Sequence, residues 1–124
     1  MGGKKEKMII KKGCNFESEF KDGRFRIILW GEIDHHSAVS VRSAIDEKIY
    51  ALRPAKCVMD LSRIEFMDSS GLGLIMGRYA LLQKLGGEFA IANPSDRVLR
   101  VFELSGLGRI IKIENADKKG EGEF

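Results

Sequence analysis

The residues best suited to chemistry lie in one short stretch, Phe66–Gly73, which reads Phe-Met-Asp-Ser-Ser-Gly-Leu-Gly. It falls at the predicted junction between a buried strand and a helix, where α/β sheets commonly place ligands and partners. Asp68, Ser69 and Ser70 are all good helix caps, so any of them could accept hydrogen bonds from the first free backbone amides. Capping accounts for these polar side chains but not for the glycines beside them.

Three glycines, Gly71, Gly73 and Gly77, fall within the helix predicted to follow. Each costs up to about 1 kcal/mol relative to alanine in a helix interior, so the helix needs a compensating reason to contain three. Two reasons stay open at the level of sequence. Glycine allows the close approach of a partner backbone or ligand, and it equally allows tight packing of the helix on its own sheet.

Known catalytic and nucleotide-binding patterns do not fit this stretch. The spacing Gly-x-Gly-x-x-x-Gly is not the dinucleotide fingerprint, the lysine of the Walker pattern is absent, and Asp68 would repel a phosphate. The Gly-x-Ser-x-Gly pattern of a serine hydrolase is also missing, and His35 and His36 would have to supply the base from another loop. The sequence therefore predicts a protein that is not an enzyme and has no cofactor.

A second polar stretch, Gly31–His36, precedes another predicted helix. Its adjacent histidines point to different sides and are not the i, i+4 pair that shares one metal on a helix, so no metal site is expected. Asp34 or Ser37 could cap the helix. Exposed polar recognition of a partner is the second interpretation of this stretch.

Length and charge narrow the class of protein. The chain has 124 residues, which suits one domain, and its 21 Lys and Arg against 18 Asp and Glu leave a net charge of only +3. Nucleic acid is not an expected partner, because backbone binding needs a dense basic surface. No apolar run approaches the about 18 residues of a membrane span, and Cys14 and Cys57 form no disulfide framework. The expected location is the cytoplasm, without membrane attachment.

Hydrophobic periodicity predicts a single α/β domain. An Asp-Gly turn joins the first two strands into an antiparallel hairpin, and the later strands alternate with helices, so right-handed crossovers give a small mixed, mostly parallel sheet. The predicted strands are 16–20, 25–30, 57–61, 89–92 and 109–113, and the predicted helices are 38–52, 70–84 and 93–104.

The two ends of the chain lie outside this pattern. Residues 1–15 are lysine-rich and aperiodic, and residues 114–124 are charged and nearly free of apolar side chains, so neither can offset its own ordering entropy. We expect a flexible N-terminal segment (1–15), one domain (16–113) and a disordered charged tail (114–124).

Three stretches together resemble the STAS-domain anti-sigma factor antagonists, most closely the sporulation type of Gram-positive spore formers. The matching residues are Gly31–His36, Phe66–Gly73 with Gly77–Tyr79, and Phe102–Leu107 before Ile110–Ile111. The resemblance covers about 16–113 and implies a single STAS domain whose helices pack mainly on one face of the sheet. The family usually closes with an amphipathic helix, which 114–124 lacks the apolar stripe to form.

The resemblance also implies a function. Members bind an anti-sigma factor that is itself an ATP-dependent serine kinase, which frees the sigma factor for transcription. The kinase then phosphorylates and inactivates them at the first serine of the Asp-Ser-Ser-Gly block, here Ser69, and a serine phosphatase reverses the reaction. The implied partner surface comprises Asp34, His35, Asp68, Ser69, Ser70, Gly71 and Gly73. STAS domains also serve as sensory and transporter modules, so a small-molecule or nucleotide sensor is the alternative.

Overall fold

The computed structural model describes residues 4–8 and 14–115, with side chains from residue 15 onward. In these ranges the chain forms six strands, three α-helices and one 3₁₀ turn. In chain order the elements are β1 Lys4–Met8, β2 Cys14–Lys21, β3 Arg24–Ile33, α1 His35–Leu52, β4 Lys56–Met67, α2 Ser69–Lys84, β5 Glu88–Ala92, α3 Asp96–Leu104, the 3₁₀ turn Leu107–Arg109 and β6 Lys112–Glu114.

The described strands form one sheet in the order β1-β2-β3-β4-β5-β6. The pairs β1–β2 and β2–β3 are antiparallel, whereas β3–β4, β4–β5 and β5–β6 are parallel. Each parallel pair is joined through one helix, and each connection leads to the next strand in the same direction across the sheet. Right-handed connections then place all three helices on the same face. The predicted α/β fold, with a mixed and mostly parallel sheet, is confirmed.

The core lies between the helices and one face of the sheet. Alternate residues of β4 belong to one buried apolar cluster, and Met59 is flanked there by its register partners Ile27 and Ile91. All three helices add apolar side chains to this cluster: Val41, Ile45 and Ile49 from α1, Leu74, Ile75 and Leu82 from α2, and Val98 and Phe102 from α3. The cluster fixes both α1 and α2 against the strands from which they emerge.

The structure differs from the sequence prediction at the N-terminus. Lys4–Met8 forms an edge strand antiparallel to β2, with Lys4 opposite Phe20 and Met8 opposite Phe16, where a flexible segment was expected. The segment lacks an alternating apolar pattern, so its own sequence does not predict a strand. Pairing is explained by β2, whose unpaired backbone groups need partners. Residues 1–3 and 9–13 lie outside the described residues.

The C-terminal elements begin later than predicted. Helix α3 begins at Asp96 and not at Asn93, because the Ser95 hydroxyl accepts a hydrogen bond from the amide of Val98 at 3.2 Å and thereby caps the helix. The last strand is shorter than the predicted 109–113, since a 3₁₀ turn precedes it. Glu114, which the prediction assigned to the tail, pairs with Ala92 in the sheet. Residues 116–124 lie outside the described residues.

Candidate functional site

The two polar stretches of the sequence meet at the carboxyl ends of β3 and β4. Ile33 and Met67, the last residues of these strands, are register partners, and the amide of Asp68 donates to the carbonyl oxygen of Ile33 at 3.4 Å. Paired strands lie about 4.8 Å apart. Asp34 and Asp68 directly follow these two residues, so they lie at the same level on neighbouring strands. The loops after β3 and β4 therefore form one continuous edge.

Asp34 caps α1 in an extended backbone conformation (φ −122°). Its Oδ1 accepts a hydrogen bond from the amide of Ser37 at 3.0 Å, and its own amide donates to the Ser37 hydroxyl oxygen, also at 3.0 Å. The bond from the Ser37 amide is the main reason that the pKa of Asp34 lies below its ordinary value. The two capping candidates of the sequence thus act together as a reciprocal pair.

Asp68 caps α2, and this leaves the two serines in different environments. Its Oδ1 accepts a hydrogen bond from the amide of Ser70 at 2.8 Å. Ser69, the first residue of α2, is exposed, whereas Ser70 is half-buried. Among the three candidates in the sequence, the carboxylate is the cap, so the Ser69 hydroxyl is left on the surface at the positive end of the helix dipole.

The histidines of the second stretch begin α1. His35 and His36 are both exposed, and their rings meet edge to face with 5.9 Å between centroids. Across residues 15–115, the structure brings together no group of three or more His, Cys, Asp or Glu side chains suited to a metal ion. Polar recognition at the surface is the role that the exposed position of these side chains allows.

The structure separates the two explanations for the glycines of α2. Gly71 is buried, and a Cβ added there would lie 2.2 Å from Cγ of Met67 and 3.2 Å from Cγ2 of Ile33. A Cβ at Gly73 or Gly77 would meet nothing within 4 Å. Internal packing under the junction of the two strands therefore accounts for a glycine at position 71. Internal contacts do not explain Gly73 or Gly77.

An apolar side chain extends the open face of α2 beyond the residues that the sequence predicted. Ser69, Gly73 and Met76 are all exposed, and spacings of four and three residues place them on one side of the helix. Met76 is 38% exposed, and Phe66, at the end of β4, is 42% exposed. Neither residue was among the predicted partner-binding residues, although Phe66 opens the stretch that the sequence singled out. The seven-residue spacing from Ser69 to Met76 was the signal that could have identified the methionine.

Cys57, the cysteine whose side chain the structure describes, does not contribute to this surface. Cys57 is a free thiol, fully buried in β4. Burial raises the pKa of Cys57, so the thiol stays protonated at neutral pH. It behaves as a small apolar side chain of the core.

Comparison with known proteins defines the class. Residues 15–119 match the STAS domain, and the chain belongs to that family. No helix in the described ranges is long and apolar enough to cross a membrane.

Two relatives within this family indicate a narrower class of protein. The chain is 41% identical over 97 residues to an anti-sigma F factor antagonist of Paenibacillus polymyxa, which covers 78% of this chain and 83% of the relative. It is 32% identical over 108 residues to an anti-sigma-B factor antagonist of Bacillus subtilis, with 86% and 95% covered.

Solved structures show the same likeness. The anti-sigma factor antagonist SpoIIAA in its unphosphorylated form is similar with a TM-score of 0.72 and 33% identity, over 84% of this chain and 91% of that one. The phosphorylated form of the Bacillus SpoIIAA gives a TM-score of 0.65 and 31% identity, over 88% and 99%. SpoIIAA is therefore a fold neighbour that has been solved both with and without phosphate.

Proposed function

We propose that the chain is a cytoplasmic anti-sigma factor antagonist. It binds an anti-sigma factor with serine kinase activity and so releases a sigma factor; phosphorylation of Ser69 inactivates it, and a serine phosphatase restores it. The observation that carries this proposal is the exposed Ser69 at the first position of α2, with the neighbouring Asp68 already serving as the cap. Relatives that are anti-sigma factor antagonists, and a solved phosphorylated neighbour, support it.

The difference between the two serines supports Ser69 as the acceptor. A kinase must reach the hydroxyl with the transferred phosphoryl group in line, so an accessible side chain is required. Ser69 is exposed, whereas Ser70 is half-buried and its amide is held by Asp68. Phosphorylating Ser69 needs no change in the cap of α2.

The proposed partner surface is the edge formed by the two helix starts and the open face of α2. Its members are Asp34, His35, Asp68, Ser69, Ser70 and Gly73. Gly71 lies beneath it and acts by allowing α2 to approach Met67. Without a side chain at Gly73, a partner backbone can come close to the helix. This close approach gives a reason for a glycine at position 73, where internal packing gives none.

A phosphate at Ser69 acts on this surface and not on the fold. It adds about −1.5 to −2 charges at neutral pH. The free amides of the helix N-terminus favour it by roughly 0.3 to 1 kcal/mol, and repulsion from Asp68 opposes it by a similar amount in solvent. Because the two effects nearly cancel, the free energy of unfolding should change little. A partner packed on Gly73 would instead have to bury an unpaired charge, which is strongly unfavourable.

The proposal is tested with the anti-sigma factor of the same organism and ATP. Wild type, Ser69→Ala and Ser70→Ala are incubated with it, and the modified residue is mapped by mass spectrometry. Ser40→Ala, an exposed serine on α1, is the matched control. Wild type, Ser70→Ala and Ser40→Ala should each gain one phosphate at Ser69, and Ser69→Ala should bind without being modified. Phosphate on Ser70 alone would contradict the site, and no binding by wild type would contradict the function.

Thermal melts of the wild-type protein distinguish this function from the alternative, a small-molecule or nucleotide sensor. A ligand that binds only the folded protein must raise its melting temperature. We expect ATP and GTP alone to leave the melting temperature of the chain unchanged. A clear rise with either nucleotide would favour a nucleotide-sensing domain on the same fold.

A further inference from the structure

One charged side chain is buried between α1 and α2. The side chain of Arg78 on α2 is 7% exposed, and its Nε lies 2.9 Å from Oδ1 of Asp46 on α1, whose side chain is 29% exposed. Arg78 occupies a position in the core-facing stripe of α2. The other large side chains of that stripe are apolar: Leu74, Ile75, Leu81 and Leu82.

Stability alone does not explain this pair. Burial lowers the pKa of Arg78, and the nearby carboxylate of Asp46 opposes that effect. The Nε–H group is not aligned for a hydrogen bond with Asp46, and Nη1 of Arg78 is buried with no hydrogen-bond partner among the described residues. Replacing such a buried pair with apolar side chains of similar volume is often neutral or stabilising. Folding free energy is therefore a weak explanation for the pair.

An ion pair specifies orientation better than apolar packing does. Apolar surfaces tolerate small slides and rotations, whereas a guanidinium must stay close to its carboxylate, and buried polar pairs fix helix register in some proteins. Asp46 and Arg78 each lie about three turns into their helices, roughly 15–18 Å from the caps at 1.5 Å per residue. The β3–β4 register already fixes the starts of both helices at Asp34 and Asp68. The ion pair supplies a second point of attachment, so it limits rotation and tilt of α1 relative to α2.

We propose that Arg78 is a positioning residue for the partner surface: its ion pair with Asp46 sets how the exposed faces of α1 and α2 are presented together. The inference rests on the proposed function, because the surface that it positions is the proposed binding surface. Arg78 itself is buried and does not contact the partner. Its effect is on the rotation and tilt of the two helices beyond their starts, and so on how His35 of α1 and Ser69 and Gly73 of α2 face a partner together.

The test replaces the pair with an apolar one. The double variant Asp46→Leu/Arg78→Met removes both charges together and leaves no unpaired buried charge. Arg97→Met, an exposed arginine on α3, is the matched control for loss of one positive charge. Arg78→Lys keeps the cation next to Asp46. For each protein, three quantities are measured: the melting temperature, the affinity for the anti-sigma factor of the same organism by calorimetry, and the backbone amide NMR spectrum.

We expect the double variant to melt cooperatively near the wild-type temperature and to bind about tenfold more weakly, a loss of roughly 1.4 kcal/mol. Its amide shifts should extend to 34–37 and 68–71, far from the substitutions. Arg78→Lys should recover most of the affinity, and Arg97→Met should bind like wild type.

Wild-type affinity in the folded double variant, or shifts confined to residues next to positions 46 and 78, would overturn the proposal. Loss of the cooperative melt would also overturn it, because the pair would then be required for folding. If wild type binds no anti-sigma factor, the proposed function fails, and the amide shifts alone then decide whether the pair sets the orientation of α1 relative to α2.

Discussion

The amide of Asp68 donates to the carbonyl oxygen of Ile33, and this bond joins two helix starts that are far apart in the sequence. Because β3 and β4 end in register, each is followed at the same level by an aspartate that caps a helix. The caps of α1 and α2 therefore lie side by side at the edge of the sheet. A partner that covers one of them meets the other.

Asp34→Asn separates capping from recognition. Asparagine caps a helix about as well as aspartate, so the melting temperature should stay close to that of wild type. If the charge of Asp34 contributes to partner binding, affinity should fall several-fold, and calorimetry with the anti-sigma factor measures it. Equal affinity of the two proteins would leave Asp34 with a capping role alone.

The titration of Asp34 should depend on Ser37. The amide of Ser37 donates to the carboxylate, which lowers the pKa of Asp34 below the ordinary value of 3.8. A lowered pKa in the folded state means that the cap contributes stability above the unfolded pKa, and that this contribution is lost as the pH falls through the folded pKa. Carbon-detected NMR titration should therefore give a value under 3.8 for Asp34.

Ser37→Ala provides the control for this titration. It removes the hydroxyl that donates to Oδ1 of Asp34 at 3.2 Å but keeps the amide of residue 37 that donates to the same carboxylate. The pKa of Asp34 should rise only partly toward its ordinary value. A full return to 3.8 would show that the hydroxyl, and not the backbone amide, is the main cause.

Gly73→Ala should stabilise the fold and weaken binding. An alanine Cβ at position 73 meets nothing within 4 Å, so the change gains helix propensity of up to about 1 kcal/mol without a clash. For a domain of this size that corresponds to a rise in melting temperature of roughly 3 to 6 °C. The added methyl should nevertheless reduce affinity for the anti-sigma factor, because it would separate the two backbones.

Gly77→Ala is the matched control, since a Cβ at position 77 also meets nothing within 4 Å, but this half-buried position lies one turn farther from Ser69. It should raise the melting temperature by a similar amount and leave affinity within about twofold, less than 0.5 kcal/mol. Equal affinity of the two alanine variants would show that the flat surface at Gly73 serves no partner.

Gly71→Ala should have the opposite effect on stability. Its Cβ would lie 2.2 Å from Cγ of Met67, which is buried and cannot move freely. We expect a loss of about 1 to 3 kcal/mol in the free energy of unfolding, as for other overpacked core positions. Chemical denaturation measures it. The variant Gly71→Ala/Met67→Ala, which removes the clashing side chain, should melt without the additional penalty expected from adding the two single changes.

The well-predicted parts of the fold are those with strong local signals. Helix α1 ends before Pro54, and α2 ends before Gly86, whose positive φ of 84° suits only glycine well. Strand β4 was predicted too short, because its second half, Ser62–Met67, does not alternate. Irregular register between β3 and β4 on either side of Gly31 accompanies that break in pattern.

The candidate site was only partly predictable for a different reason. Each cap could be identified from its own neighbours, because capping is local. The roles of Gly71 and Gly73 could not be separated from sequence, since only the packing of Met67 against one of them distinguishes the two. The helical spacing of Arg78 from Leu74 and Leu82 signals a core-facing position, but its partner Asp46 lies on another helix and could not be identified from the sequence.

The buried thiol of Cys57 can report how often the central strand of the sheet becomes exposed to solvent. A protonated thiol enclosed in the central strand cannot react with an alkylating reagent until β4 separates from its neighbours, so its modification rate follows the population of the open form when closing is fast. With Cys14 replaced by serine, labelling at one position reports the free energy of that opening under native conditions. Asp68 directly follows β4, and Ser69 comes next. The modification rate of Cys57, measured with and without phosphate on Ser69, would therefore show whether a charge at the edge of the sheet changes the opening free energy of its central strand.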